Sequence, residues 1–379
     1  MRWGTAAVVA AAVVGTGIAV LALGRKVSDR VVLPGVTARR RRAGDPSGPA
    51  LVLSVAADRV TFTPTTATLR PGRYAVEWGA DGHAVVGDVV HRDENGVTRR
   101  LERADHGDRG VLEPGIEVRL TPRVLLGDPA TALGLEYTET AAYGELGPMP
   151  AWYVPGMRGT WVLLVHGPGT DRQQTLPVLP LLNRLGLPTL SLTYRGDEGA
   201  PAAPGGIGRF GDTEWRDVEA AVRLATDSGA GKVVLYGWSL GATMALQTVA
   251  RSSFADSVSG LIVDSPVLDW PATVRRDATG AGISAPLAEL GALAAEGRTG
   301  VDLAGFARLA DGSDLHVPTL LLHSPDDPVA PWRAAERLAA RRHDLVSIQA
   351  VPDADHAALW NAYPGRYEEA LRRWLTPLL

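Results

Sequence analysis

One serine enclosed by glycines, two adjacent aspartates and one histidine follow one another along the chain in an order that suits nucleophilic chemistry. Ser239 stands in "GWSLG", Asp326 and Asp327 in "HSPDDPVAP", and His356 in "PDADHAALW". A serine hydroxyl is a weak nucleophile near neutrality, so it needs a base within hydrogen-bond reach and an acid to orient that base. Gly237 and Gly241 suit a tight strand-to-helix turn, where residues without Cβ relieve crowding and the central side chain projects over the sheet edge. A helix starting there offers free N–H groups and partial positive charge to an anion forming beside the serine. Each residue also has a plainer reading: Ser239 as a helix N-cap, His356 as a surface histidine, Asp327 as a turn residue beside Pro328.

The spacing matters only if the fold gathers these groups. After about residue 140 the apolar runs "WVLLVH" (161–166), "LPTLSLTY" (187–194), "KVVLYGW" (232–238), "SGLIVD" (259–264), "VPTLLLH" (317–323) and "LVSIQAV" (345–351) alternate with helix-length amphipathic segments. Near-continuous hydrophobicity predicts strands covered on both faces of a mostly parallel sheet. Ser239, the aspartate pair and His356 each follow one of these strands. Carboxyl ends of the strands in an open α/β sheet share one rim, where ligands bind, so the three should converge there.

The set "HGPG", "GWSLG", "DDPVAP" and "DADH" resembles the α/β-hydrolase superfamily over roughly residues 140 to 379. "GPMPAWYVPG", "YRGDEG" and "TEWRDVEAAV" are similar to segments of its serine esterases and prolyl-oligopeptidase-type hydrolases. The resemblance implies a doubly wound, mostly parallel sheet with Ser239 as nucleophile, His356 as general base and then acid, and an aspartate orienting His356. The family's acid precedes a short stretch ending in proline, which matches Asp327 in "DPVAP" better than Asp326. Asp264, ending "LIVD", is the alternative acid, because some members carry it on that earlier strand. The family's oxyanion hole uses the N–H of the residue after the nucleophile, here Leu240, and of the residue after "HG", here Pro168. Proline has no N–H, and Gly169 is expected to donate in its place. His166 and His323 also end strands and are expected to bond loop backbone.

The remaining sequence bounds the function. Net charge is −4 over 379 residues, without the basic field that nucleic-acid binding relies on. Cysteine is absent, which excludes disulfides and thiolate metal sites. His83 and His91 lack a third ligand nearby, and no metal or cofactor is expected. "GIGRFG" at 206–211 fits the dinucleotide fingerprint, but a loop separates it from the preceding strand, so the phosphate-binding setting is missing.

Between Arg2 and Arg25 run twenty-two residues without a charge. At ~1.5 Å rise per residue such a helix spans a hydrocarbon core of ~30 Å. Residues 1–24 are therefore expected to be a transmembrane anchor at the cell membrane, its face open; a cleaved signal segment, which would release the protein, is the alternative. Residues 25–50, with "RRRR" and "AGDPSGP", form a basic linker. Residues 51–138 carry short alternating runs separated by "RPG", "ADG" and "DENG", the pattern of a small β-rich accessory domain. Residues 139–379 form the hydrolase unit, and about 266–315 a helical cap, a segment that commonly sets substrate choice. The reaction expected is hydrolysis of a carboxylic ester through an acyl-enzyme. A peptidase of prolyl-oligopeptidase-like type is the alternative, although the region before residue 140 is too short for a β-propeller. A catalytically silent, membrane-tethered binding module is the third, suggested by Pro168.

Overall fold

The computed structural model describes residues 48–105, 111–280 and 282–379. The anchor segment and nearly all of the basic linker lie outside the described residues, among which no helix is long and apolar enough to cross a membrane.

The first six strands are β1 (Ala50–Ala56), β2 (Arg59–Phe62), β3 (Tyr74–Trp78), β4 (Gly82–Arg92), β5 (Val97–Asp105) and β6 (Glu117–Thr121). They close into an antiparallel barrel in the order β1-β2-β5-β4-β3-β6. The two-residue alternation sends Val52, Val60, Phe62, Val76, Val86 and Leu120 inward, and closure pairs every strand on both sides. A one-turn helix, α1 (Thr66–Leu69), leads into the β2–β3 loop.

Fully buried Arg99 on β5 organises that loop. Its guanidinium donates to the carbonyls of Gly87 (2.9 Å), Thr68 (3.0 Å), Arg70 (2.7 Å) and Gly72 (2.6 Å). Burial pulls Arg99 down to about 10, still charged near neutrality.

After α2 (Pro129–Leu133) the chain enters an eight-stranded sheet of order β14-β13-β12-β11-β9-β10-β8-β7. Strands β9 (Thr160–Val165), β10 (Thr189–Leu192), β11 (Lys232–Trp238), β12 (Val258–Asp264), β13 (Thr319–His323) and β14 (Val346–Ala350) run parallel. Alternate side chains serve opposite faces: Leu163 and Val165 pack on one, Val162 and Leu164 on the other. The first face is covered by α4 (Trp215–Asp227), α5 (Leu240–Arg251) and later α9 (Trp332–Arg341). The second is covered by α3 (Leu179–Arg184) and the carboxy-terminal helices α10 (Leu359–Ala362) and α11 (Pro364–Leu375). Between β12 and β13 lie α6 (Trp270–Gly280), α7 (Ala285–Thr299) and α8 (Ala307–Asp311). Val274, Ala278, Ala288 and Ala292 form a small core between α6 and α7.

Two features go beyond the succession of apolar runs. The sheet begins earlier, with β7 (Thr138–Gly144) and β8 (Gly147–Val154), where β7 pairs antiparallel to β8 and β8 to β10. Pro148 and Pro150 mask β8, because proline argues against a strand when read alone. The long segments around Pro177 and Pro364 are not single helices. Residues Arg172–Val178 form a 3-10 turn before α3, and Pro364 separates α10 from α11, since proline clashes with the preceding helical turn.

Candidate active site

Ser239 joins β11 to α5 with φ 54° and ψ −116°, a conformation that costs a non-glycine residue ~1–3 kcal/mol and clusters at functional sites. The turn is tight enough that a Cβ on Gly237 would collide with the backbone of Gly241, and one on Gly241 with the carbonyls of Val165 and His166. The Ser239 side chain makes no capping bond to its own helix, so the N-cap reading fails. Its Oγ instead lies 2.7 Å from Nε2 of His356, whose Nδ1 is 2.8 Å from Oδ2 of Asp327. A carboxylate only accepts, so Nδ1–H donates to Asp327 and Nε2 is left to accept from the serine hydroxyl.

Asp327 is fully buried, with Oδ1 accepting from the N–H groups of Val329 (2.7 Å) and Ala330 (2.8 Å). Nε2 of His323 lies 3.3 Å from Oδ2. Burial opposes ionisation of this carboxyl, but the charge and hydrogen bonds of His356 and His323 outweigh it and hold Asp327 well below the usual range. Asp326 turns away and accepts from the N–H of Asp353 at 3.1 Å.

Asp264 is equally buried but bonds elsewhere. It accepts from Ser265 Oγ (2.8 Å) and Tyr367 Oη (2.7 Å), and Tyr367 also shares a hydrogen bond with Tyr236. Burial pushes it up to about 6, against the pull of its two hydroxyl donors. The structure thus brings Ser239, His356 and Asp327 together and leaves Asp264 in a separate hydroxyl cluster.

The loop after β9 passes over Ser239: a Cβ on Gly167 would sit 3.2 Å from that of the serine. Gln174 accepts from Gly167 N (2.8 Å) and Thr170 Oγ1 (2.9 Å), while Gly167 O accepts from Thr170 Oγ1 (2.7 Å). His166 bonds backbone through Nδ1, 2.9 Å from Gly167 O, and its Nε2 is 2.9 Å from Asp197. Burial disfavours the charged ring, yet the Asp197 carboxylate raises His166 above its ordinary range. His323 also meets backbone, 3.2 Å from Ala330 O. Gln174 and Asp197 carry no sequence signal, since neither lies in a recognisable spacing to the serine. Leu240, at the first position of α5, has an N–H that the helix itself cannot pair.

"GIGRFG" forms a loop whose Arg209 and Gly211 N–H groups donate to Glu214 at 2.6 and 3.0 Å, using the amides a phosphate would need. Trp270 packs on Phe210 and Phe306, and Trp238 stacks on Tyr236. His83 contacts Arg123 O and His91 lies beside Asp93. Among the described residues no group of His, Cys, Asp and Glu is arranged to hold a metal.

An esterase of Pyrococcus furiosus, in two crystal forms, superimposes with TM-scores of 0.56 and 0.53 at 17% and 19% identity. The overlap takes in 67% of this chain in both cases and 96% and 98% of the esterase. A thermophilic esterase of Thermogutta terrifontis, in its malate-bound form, aligns at 21% identity and TM-score 0.46 over 64% of this chain and 99% of its own. At such identities the likeness is one of fold. No curated protein matches the chain by sequence. The profile of a domain family of unknown function matches residues 51–121, the barrel, and that of the alpha/beta hydrolase family matches residues 162–370. The second match spans more than half of the chain and takes in the parallel strands and the loops that carry Ser239, Asp327 and His356, so the protein belongs to the alpha/beta hydrolase family.

Proposed function

We propose that the protein is a serine hydrolase that cleaves a carboxylic ester through an acyl-enzyme. The observation that carries this reading is the relay from Ser239 Oγ to His356 Nε2 at 2.7 Å and from His356 Nδ1 to Asp327 at 2.8 Å. In the first step His356 takes the hydroxyl proton as Ser239 attacks the ester carbonyl, and Asp327 stabilises the imidazolium that forms. The same proton then passes to the departing alcohol. In the second step His356 draws a proton from water, the hydroxide attacks the acyl-serine, and Ser239 recovers its hydrogen. The oxyanion formed in each step is assigned to the N–H groups of Leu240 and Gly169, Pro168 having none to give. One such donor lowers the barrier by ~2.7–4 kcal/mol, so the loss of the second would be felt in the rate. The fold likeness to the Pyrococcus furiosus esterase supports an ester as substrate.

A fluorophosphonate probe tests the reading directly. It should label Ser239 in the folded protein and fail on Ser239→Ala; an unlabelled wild type would favour a silent binding module. Short-chain esters run beside X-Pro amides then divide esterase from peptidase, faster amide turnover overturning the ester assignment. We also assign residues 1–24 as a membrane anchor, which predicts that the protein sediments with membranes and that removing those residues releases it.

A further inference from the structure

We propose that the barrel positions the histidine of the hydrolase through Arg70; the inference rests on His356 acting as the base. His356 sits on a strained segment, with Asp353 at φ 58° and Ala357 at φ 55°. Left-handed backbone at such residues persists only where the surroundings over-determine it. From the sheet side Asp326 accepts from Asp353 N, and Ser265 Oγ accepts from Ala357 N at 3.1 Å. The barrel supplies the other side. Nη2 of Arg70 lies 2.6 Å from Oδ2 of Asp355, the residue before the histidine. Asn361 on α10 donates to the carbonyls of Arg73 (3.0 Å) and Pro122 (2.9 Å), and its own carbonyl accepts from Arg73 N at 2.8 Å. Gly72 approaches so closely that a Cβ there would collide with the carbonyls of Asn361 and Ala362. The loop making these contacts is the one that Arg99 holds from inside the barrel. A continuous path therefore runs from Arg99 through the 68–72 loop and Arg70 to Asp355 and the imidazole.

The magnitudes say where this pair acts. An ion pair 14% and 31% exposed is largely shielded from water, so removing one partner also costs some stability, whereas a misplacement of ~1 Å in a reacting group costs ~10²-fold in rate. In the full chain, Arg70→Ala and Asp355→Asn should each lower kcat on a short-chain ester about tenfold, with KM within about twofold, at a temperature where each variant remains folded. Arg70→Lys should recover most of the loss, and the double variant should be no slower than either single one. Amide exchange across residues 353–362 should quicken in Arg70→Ala and return in Arg70→Lys. Unchanged kcat, additive losses or unchanged exchange would each overturn the proposal. A wild type that neither hydrolyses esters nor takes the fluorophosphonate sinks the proposed function instead, and the exchange comparison still decides whether Arg70 holds the loop.

Discussion

The ends of β12 and β13 each carry a buried aspartate close to the histidine segment, and the two differ in what surrounds them. Asp264 accepts from two neutral hydroxyls, so burial dominates and raises it to about 6. Asp327 is as deeply buried, but two backbone N–H groups and two imidazoles face it, and it is held below the usual carboxylate range. Burial alone therefore does not set the charge of an acid; the donors turned toward it do. Only Asp327 touches a ring that becomes cationic on taking a proton, which suits it to stabilise the imidazolium.

The contrast breaks most visibly on substitution. Asp327→Asn should lower kcat by ~10⁴, the loss expected when the imidazole takes the wrong tautomer, while Asp264→Asn should stay within about tenfold of wild type by acting only through packing around the histidine. Ester turnover with the two results exchanged would move the acid to β12. The next effect is on stability against pH, read from denaturant unfolding. As pH climbs from the usual 3.8 toward about 6 the unfolded chain loses the Asp264 proton first, so this residue makes stability fall through that window. A shift of this size is worth up to ~3 kcal/mol, and Asp264→Asn should flatten the fall. Asp327 acts in the opposite sense: its contribution is present above 3.8 and lost as pH drops below it.

Smaller effects sharpen the same contrast. Tyr367→Phe removes a donor from Asp264 and the hydroxyl partner of Tyr236, and should cost ~1–3 kcal/mol in urea unfolding. Its kcat should hold, because the change leaves Asp327 untouched. Asp326→Asn keeps an oxygen that can accept from Asp353 N and should alter turnover by less than about threefold. A larger loss there would transfer weight from Asp327 to its neighbour.

Much of the hydrolase half is legible in the residues. The uninterrupted apolar runs have the composition of strands covered on both faces, and the helices between them follow the helical period except where Pro177 and Pro364 interrupt. The barrel is legible only as strands, since two-residue alternation reveals which side chains face inward and not which strands become neighbours. Arg99 has no sequence signal as an interior residue, because its burial depends on four carbonyls, three from the segment between β2 and β3 and one from β4. The contacts of Arg70 and Asn361 are hidden for the same reason: their partners lie hundreds of positions away.

The local sequence by itself determined the need for Gly237 at the bend, because a Cβ there would meet the backbone of Gly241 within the same strand-to-helix turn; the need for Gly241 comes instead from the carbonyls of Val165 and His166 beside it. The sequence also determined the order in which serine, aspartate and histidine follow their strands. Only the tertiary structure decided which aspartate meets His356, and that the barrel braces the segment bearing it. Hydrogen-bond reach is a matter of a few tenths of an ångström between loops distant in sequence, and no residue pattern carries that information.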